Sequence, residues 1–404
     1  MSAKPLAGLK VLDLSRVLAG PWCTQLLADL GAEVIKVEKP GAGDDTRHWG
    51  PPWHEHEGEK VAAYFLAANR GKKSLALDFA TPEGAEVVRR MAADADVLVE
   101  NYKVGGLEKY GLDANSLRAA NPRLVTASVT GFGQDGPYAP RAGYDYIIQA
   151  MGGMMSVTGL PDDEPGGGPL KVGVAIADIF TGMYTASAIL AALHERERTG
   201  EGAVIDMALF DTQLAVLANQ ASNALVSGRD PQRLGNGHPN IVPYQPFRAS
   251  DQPLVIAVGN DGQFARLAEI CGHPEWTSDE RFATNAARVA NREAIVAKIG
   301  AVIADRPASD WLDELLEAGI PAGPINTITQ ALADPQALHR GARQQRGVGA
   351  LGEVPMVGSP IRLDGMRADA ELAPPALGEH SDDVLLRWLE ADEIAALRAR
   401  GVVG

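Results

Sequence analysis

At 404 residues, 46% of them apolar, the chain has material for about two or three hydrophobic cores. Its formal charge of -15 argues against sequence-independent binding to nucleic acid or to an anionic membrane, so any anionic ligand must find local basic residues. Two cysteines, Cys23 and Cys271, are too few for a multi-bridge disulfide framework and fit a reducing compartment. The opening residues show neither an apolar signal run nor an Arg-rich transit pattern, and the chain reads as a cytoplasmic protein used at full length.

The first half alternates short β-branched runs with helical patterns. Residues 9–15 read as strand, 21–30 as helix and 32–38 as strand; residues 82–93 then read as helix, with 95–100 and 123–129 as further strands. Repeated crossovers of this kind imply an α/β fold with a parallel sheet. Ligands on such sheets bind beyond the carboxyl ends of the strands, here after Ser15, Glu38, Glu100 and Val129. Arg16 and Ala19-Gly20-Pro21 follow the first strand, where the open amides of a helix start favour an anion. Lys39 and a glycine-rich run to Arg47 follow the second, and Asn101-Tyr102-Lys103 the third. The fourth leads into Thr130-Gly131-Phe132-Gly133, a turn that lets backbone approach a ligand closely. The short basic groups Lys36 and Lys39, Arg70, Lys72 and Lys73, and Lys103 and Lys109 read by default as solvated faces.

Residues 174–193 form an apolar run of near membrane-spanning length, interrupted by Asp178, Thr181, Thr185 and Ser187. It reads as a buried helix of a soluble protein. A lone carboxylate in such surroundings is costly unless hydrogen bonds or function keep it there. The local pattern favours an N-cap, with Asp178 accepting from the amides of Phe180 or Thr181. Glycines 166–168 just before it read as a flexible surface turn.

Two nucleotide signatures are missing. No Gly-x-Gly-x-x-Gly follows the first strand, and no Gly-x-x-x-x-Gly-Lys-Ser/Thr loop occurs anywhere. His54, His56 and Glu57 lie in a Pro-rich loop without a second cluster, so no metal site is expected. Further along, residues 254–258 read as strand, with 263–270 and 309–318 as helices.

The chain resembles the family III CoA-transferases, a family that includes formyl-CoA transferase and carnitine CoA-transferase. The resemblance rests on residues 8–16, Ala19-Gly20-Pro21, residues 30–38 and 69–75, Glu100-Asn101-Tyr102 and Leu377-Gly378-Glu379-His380, and covers nearly the whole chain. Within the family it looks most like the succinyl-CoA:glutarate, or dicarboxylate, type. Residues 43–47, Trp49-Gly50-Pro51-Pro52, residues 141–145 and 241–245 carry that match. The implied fold is a large Rossmann-like domain formed from both chain ends, residues 1–226 and 325–404, plus a small central α/β domain over 227–324. The resemblance also implies an interlocked homodimer, with no membrane or nucleic-acid partner.

By the same resemblance Asp178 is the catalytic aspartate. Its carboxylate attacks the donor thioester, forming a mixed anhydride and then an aspartyl-CoA thioester, so acyl activation is kept. The CoA thioester is a substrate, and no permanently bound cofactor is implied. Arg16, Val17, Lys39, Leu77, Asn101, Tyr102, Lys103 and Lys109 fall on positions that contact CoA in the family. Lys39 and Lys109 stand where formyl-CoA transferase has arginines, which keeps the charge but loses the bidentate fork. Ala80 replaces a lysine near the adenine end, which removes that contact. Asp145 and Tyr144 lie beside the nucleophile, with Asp145 matching an acidic residue that orients it or raises its pKa. Arg141 or Arg47 is the candidate cation for a second carboxylate.

The glycine run that serves formyl-CoA transferase as a mobile lid is replaced here by residues 235–244, which disfavours oxalate and formate as substrates. An α-methylacyl-CoA racemase is the alternative on the same fold. Its histidine position holds Tyr144, and a phenol is a poor base at neutral pH. A CoA-binding protein without turnover is a third reading.

Overall fold

The computed structural model describes residues 4–347 and 349–404. Chain contacts divide it into two units, one holding residues up to Met154, 172–221 and 335–404, the other 155–171 and 222–334. The sequence-based division at 226/227 and 324/325 differs in assigning residues 222–226, 325–334 and, most of all, 155–171 to the first unit. Backbone pairing explains the last of these: Gly235 N donates to Gly159 O at 3.0 Å and Arg233 Nε to Leu160 O at 3.2 Å, ties between distant segments that no local pattern reveals.

The first unit is built on six parallel strands: β1 (Lys10–Asp13), β2 (Glu33–Glu38), β3 (Lys72–Ala76), β4 (Val97–Glu100), β5 (Val125–Thr130) and β6 (Val204–Ala208), in the spatial order β3-β2-β1-β4-β5-β6. Connecting helices include α1 (Ala19–Asp29), α2 (Pro82–Ala93), α3 (Ala114–Ala120), α4 (Asp145–Met151) and the long α5 (Ile176–Thr199), with α6 (Leu209–Val216) following β6. Alternate strand residues feed opposite layers, as the period of two requires. Leu12, Ile35, Leu75 and Leu98 pack with Val88 and Met91 of α2 on one face. Val11, Val34, Val97 and Val99 pack with Leu27 of α1 and with Ala186 and Ile189 of α5 on the other. Burial on both faces is why inner strands such as β1 and β4 read as apolar runs, whereas β6 at the sheet edge is only partly buried.

α2 starts where its sequence signals it: Thr81 Oγ1 accepts from Gly84 N at 3.0 Å, Pro82 occupies the first position, and Ala85, Val88 and Ala92 line the buried stripe. The chain end returns to this layer through Leu385, Ile394, Leu397 and Val402, and Val403 bridges Leu77. α5 is long and apolar enough to cross a bilayer by composition. Its stripe of Ala177, Thr181, Thr185, Ala186, Ile189 and Leu193 is nevertheless buried, packing partly against α1 and the sheet. It runs six residues past the expected end and stops at Gly200, whose left-handed φ of 81° closes the last turn.

The second unit has an antiparallel sheet of β7 (Tyr244–Arg248), β8 (Pro253–Ala257) and β9 (Ala322–Pro324), with β8 in the centre. Helices α7 (Asp261–Ile270), α8 (Arg292–Ile303) and α9 (Ala308–Glu317) cover it. Phe264, Ile299, Trp311 and Leu315 fill the core, and Trp311 Nε1 donates to Ile303 O at 3.0 Å. Arg288 is fully buried there, with donors to Val242 O at 2.7 Å, Phe282 O at 2.9 Å and Asp261 at 2.7 Å. Satisfying those donors is what makes a buried guanidinium tolerable.

Candidate active site

In the order β3-β2-β1-β4-β5-β6 the winding direction reverses between β1 and β4, and ligands bind at such a reversal. A cavity of about 190 Å³ opens there, within the first unit. One wall is the turn from β1 into α1. Arg16 N donates to Asn101 Oδ1 at 2.9 Å and Asn101 Nδ2 returns to Arg16 O at 2.6 Å, so the loops after β1 and β4 clamp each other. Val17 is left-handed, with φ 70°. For a β-branched residue that conformation costs about 1–3 kcal/mol and persists only where neighbours enforce it. Leu18 and Ala19 continue the wall into the start of α1, which no side chain caps. Its leading amides are therefore open to an oxyanion.

Asp178 stands on the same cavity. It is the third residue of α5, and no hydrogen bond or ion pair holds its carboxyl among the described residues. The cap reading is corrected: Ala175 occupies the cap position, and Asp145 supplies the acceptor, its Oδ1 taking the Ala177 amide at 2.8 Å. Gln149 Nε2 holds the other Asp145 oxygen at 2.7 Å. Burial and the neighbouring Asp145 charge raise the Asp178 pKa to about 7. Gly182, one turn further along α5, packs against the first turn of α1. A Cβ there would stand 2.6 Å from Ala19 O, so only glycine lets the two helices approach this closely.

The third wall is the loop after β5. Gly131 and Gly143 cross backbone against backbone with no room for a Cβ on either. That crossing places Arg141, Ala142 and Tyr144 on the cavity beside Asp178. Arg141 is exposed, stacked 3.8 Å over Tyr138, and forms no ion pair among the described residues. Tyr144 is 62% exposed.

Of the residues singled out in the sequence, Arg16, Val17, Asn101, Tyr102, Lys103, Arg141, Tyr144 and Asp178 line this cavity, and Asp145 supports it from α4. Arg16 lies 4.9 Å over the Tyr102 ring. Lys39, Leu77 and Lys109 lie off it. Lys39 and Lys109 are exposed, and the Leu77 side chain is fully buried in the core, leaving only its backbone for a ligand. The segments of Leu77 and Lys109 still join Tyr102 through Phe79, whose ring meets Tyr102 at 5.6 Å and Tyr110 at 5.9 Å. Arg47 is buried and committed elsewhere. Its Nε and Nη2 donate to Glu38 at 2.8 and 2.7 Å, Nη1 donates to Pro375 O at 3.0 Å, and the guanidinium covers Phe65.

The reading of Lys36 and Lys72 as solvated is also corrected, because both are 0% exposed. Lys72 Nζ donates to Asp13 Oδ2 at 2.9 Å, Pro21 O at 3.0 Å and Asn69 Oδ1 at 2.9 Å. Burial draws Lys72 down to about 8 against the pull of Asp13. Burial would raise Asp13, but Lys72 and Lys36 outweigh it and hold the carboxyl at about 2. A lysine inside an apolar parallel strand, register-paired with an aspartate as Lys36 is with Asp13, was the available signal for such a network. Tyr64 also escaped the sequence reading: it is partly buried, and burial with the charges of Asp178 and Asp145 raises its phenol pKa.

The model of CoA-transferase family III matches residues 6–381. Succinate–glutarate CoA-transferase of Agrobacterium fabrum is 53% identical over 383 residues, 94% of this chain and 95% of that protein. Succinyl-CoA:glutarate CoA-transferase of Homo sapiens is 40% identical over 402 residues, 99% of this chain and 90% of the human one. Among solved structures, a CAIB/BAIF family protein from Brucella suis is 54% identical with a TM-score of 0.84, covering 95% of this chain and 99% of its own. Rv3272 from Mycobacterium tuberculosis is 33% identical with a TM-score of 0.82 over 95% and 99% of the two chains. A parallel sheet with its cavity at the reversal, the Asp178 carboxylate on that cavity and matches over nearly the whole length lead to one conclusion: the chain belongs to CoA-transferase family III.

Proposed function

We propose that the protein moves CoA from succinyl-CoA to a dicarboxylic acid such as glutarate, with Asp178 as the covalent nucleophile. The observation that carries this reading is Asp178 itself, a carboxylate without a hydrogen-bond donor among the described residues, on the cavity wall beside the open start of α1. Attack by Asp178 on the thioester carbonyl forms the acyl–oxygen bond as the carbon–sulfur bond breaks, releasing CoA thiolate and leaving a mixed anhydride. The thiolate then attacks the aspartyl carbonyl, giving an aspartyl-CoA thioester and freeing the donor acid. The acceptor carboxylate attacks that thioester in turn, and the released thiolate closes the cycle by taking the acceptor acyl group from the second anhydride.

The α1 amides are placed to serve the developing oxyanions. Arg16, Asn101, Tyr102 and Lys103 support CoA on the wall formed by the loops after β1 and β4. Arg141 is the cation for a distal carboxylate, since it shares the cavity with Asp178 and has no acidic partner among the described residues. The names of the two glutarate-acting relatives support the acid class. The same reading makes the protein a homodimer in the cytoplasm, with CoA thioesters as substrates and no resident cofactor.

The test is to incubate the purified protein with succinyl-CoA and a panel of mono- and dicarboxylic acids and identify new thioesters by mass spectrometry. Thioesters formed from dicarboxylates are expected. Absence of any exchange, together with deuterium uptake from heavy water into a 2-methylacyl-CoA, would replace this reading by the racemase.

A further inference from the structure

Besides Asn101 on the cavity, the Ser15–Val17 turn is held by two side chains that do not line it. Lys36 Nζ donates to Ser15 O at 2.8 Å and to Asp44 Oδ2 at 2.9 Å, and both side chains are fully buried. The Val17 amide donates to the two Asp44 oxygens, each at 3.2 Å. Asp44 is itself fixed by Thr46, from N at 3.0 Å and Oγ1 at 2.8 Å. Neither Lys36 nor Asp44 lines the cavity, whereas Arg16 and Val17 do. Val17 is also one of four non-glycine residues with positive φ among those described, at 70°. A conformation this costly survives only under constraint. The buried carboxylate supplies it, by aiming two acceptors at an amide that a relaxed Val17 would turn away.

We propose that Lys36 and Asp44 are positioning residues: a buried latch that keeps the Arg16-Val17 turn in its left-handed form and thereby sets the affinity for the CoA thioester. The inference rests on the CoA reading given above. A group that merely stabilised the fold would, when replaced, lower the fraction of folded protein but leave the affinity of folded molecules unchanged. The latch predicts a change in affinity that depends on what residue 17 is. Glycine adopts left-handed φ without strain, so it needs no latch.

Titration calorimetry with free CoA on four folded proteins separates these cases: the unmodified chain, Asp44→Asn, Val17→Gly and the double variant. Asp44→Asn is expected to weaken CoA binding by about tenfold or more in the unmodified background and by less than about threefold in the Val17→Gly background. An equal factor in both backgrounds, or none in either, overturns the latch while leaving the CoA reading in place. Failure of the unmodified protein to bind CoA removes both. If Asp44→Asn does not fold, amide hydrogen exchange across residues 15–18 of the unmodified protein decides. Strong protection of the Val17 amide is expected, and exchange at the rate of an open loop contradicts the latch.

Discussion

Asp145 holds the Ala177 amide at 2.8 Å and, one residue further along the same helix turn, its charge adds to burial in raising the pKa of Asp178. One carboxylate thus caps α5 and keeps a second one basic. In Asp145→Asn the amide oxygen can still accept the Ala177 bond and the charge is lost, while the amide nitrogen meets Gln149 Nε2, a donor that now lacks its acceptor. Loss of the neighbouring negative charge favours ionised Asp178 and lowers its pKa from about 7. The acid limb of the pH dependence of kcat/KM should therefore move to lower pH, while the lost Gln149 bond lowers the melting temperature. A limb that stays in place would mean that Asp178 ionisation does not govern the rate.

Gly182→Ala tests the approach of α1 to α5. The new methyl meets Ala19 O at 2.6 Å, and backbone cannot move aside as a side chain would. Separation of the helices should cost about 1–3 kcal/mol of stability. It should also lower kcat by at least about tenfold, through misplacement of Asp178. Denaturant unfolding and steady-state kinetics measure the two effects, and loss of stability with kcat intact would remove Gly182 from the account.

Arg141→Gln tests acid selection. A charge-assisted pair with a distal carboxylate is worth about 1.5–3 kcal/mol, so KM for a dicarboxylate acceptor should rise by about tenfold to a hundredfold. KM for a monocarboxylate should hardly change. Equal effects on both acids would show that Arg141 does not read the second carboxylate.

The buried network carries a stability prediction with a pH signature. Lys72→Met leaves Asp13 buried without its main partner and should cost about 3–5 kcal/mol in urea unfolding. In the unmodified protein the Asp13 pKa is depressed to about 2. Its contribution is therefore present above the unfolded value near 4 and is lost as pH falls from there toward 2. The variant should show a shallower loss over that window, and parallel curves would contradict this linkage.

Strand and helix periods made the sheet legible, since β-branched runs buried on both faces and a capped helix at 82–93 leave strong local patterns. Asp178 stood out because a carboxylate interrupts an apolar helix. It does not cap the helix because the acceptor is Asp145, 32 residues before the Ala177 amide it takes, a spacing no local motif describes. Lys36 and Lys72 were misread for a similar reason: their partners Asp44 and Asp13 come from other segments, and charge alone suggests a wet surface. Arg47 has the charge a substrate carboxylate needs, but its pairing with Glu38, nine residues away across a turn, commits it elsewhere.

Acylation of Asp178 can be read out by trapping. The protein is incubated with succinyl-CoA, quenched with hydroxylamine, digested and mapped by mass spectrometry, with Asp178→Asn as control. Attack on an aspartyl anhydride or thioester leaves a hydroxamate, and the account predicts it on Asp178 in the unmodified protein and nowhere in the variant. A hydroxamate on another carboxylate, or full exchange activity in Asp178→Asn, would contradict it.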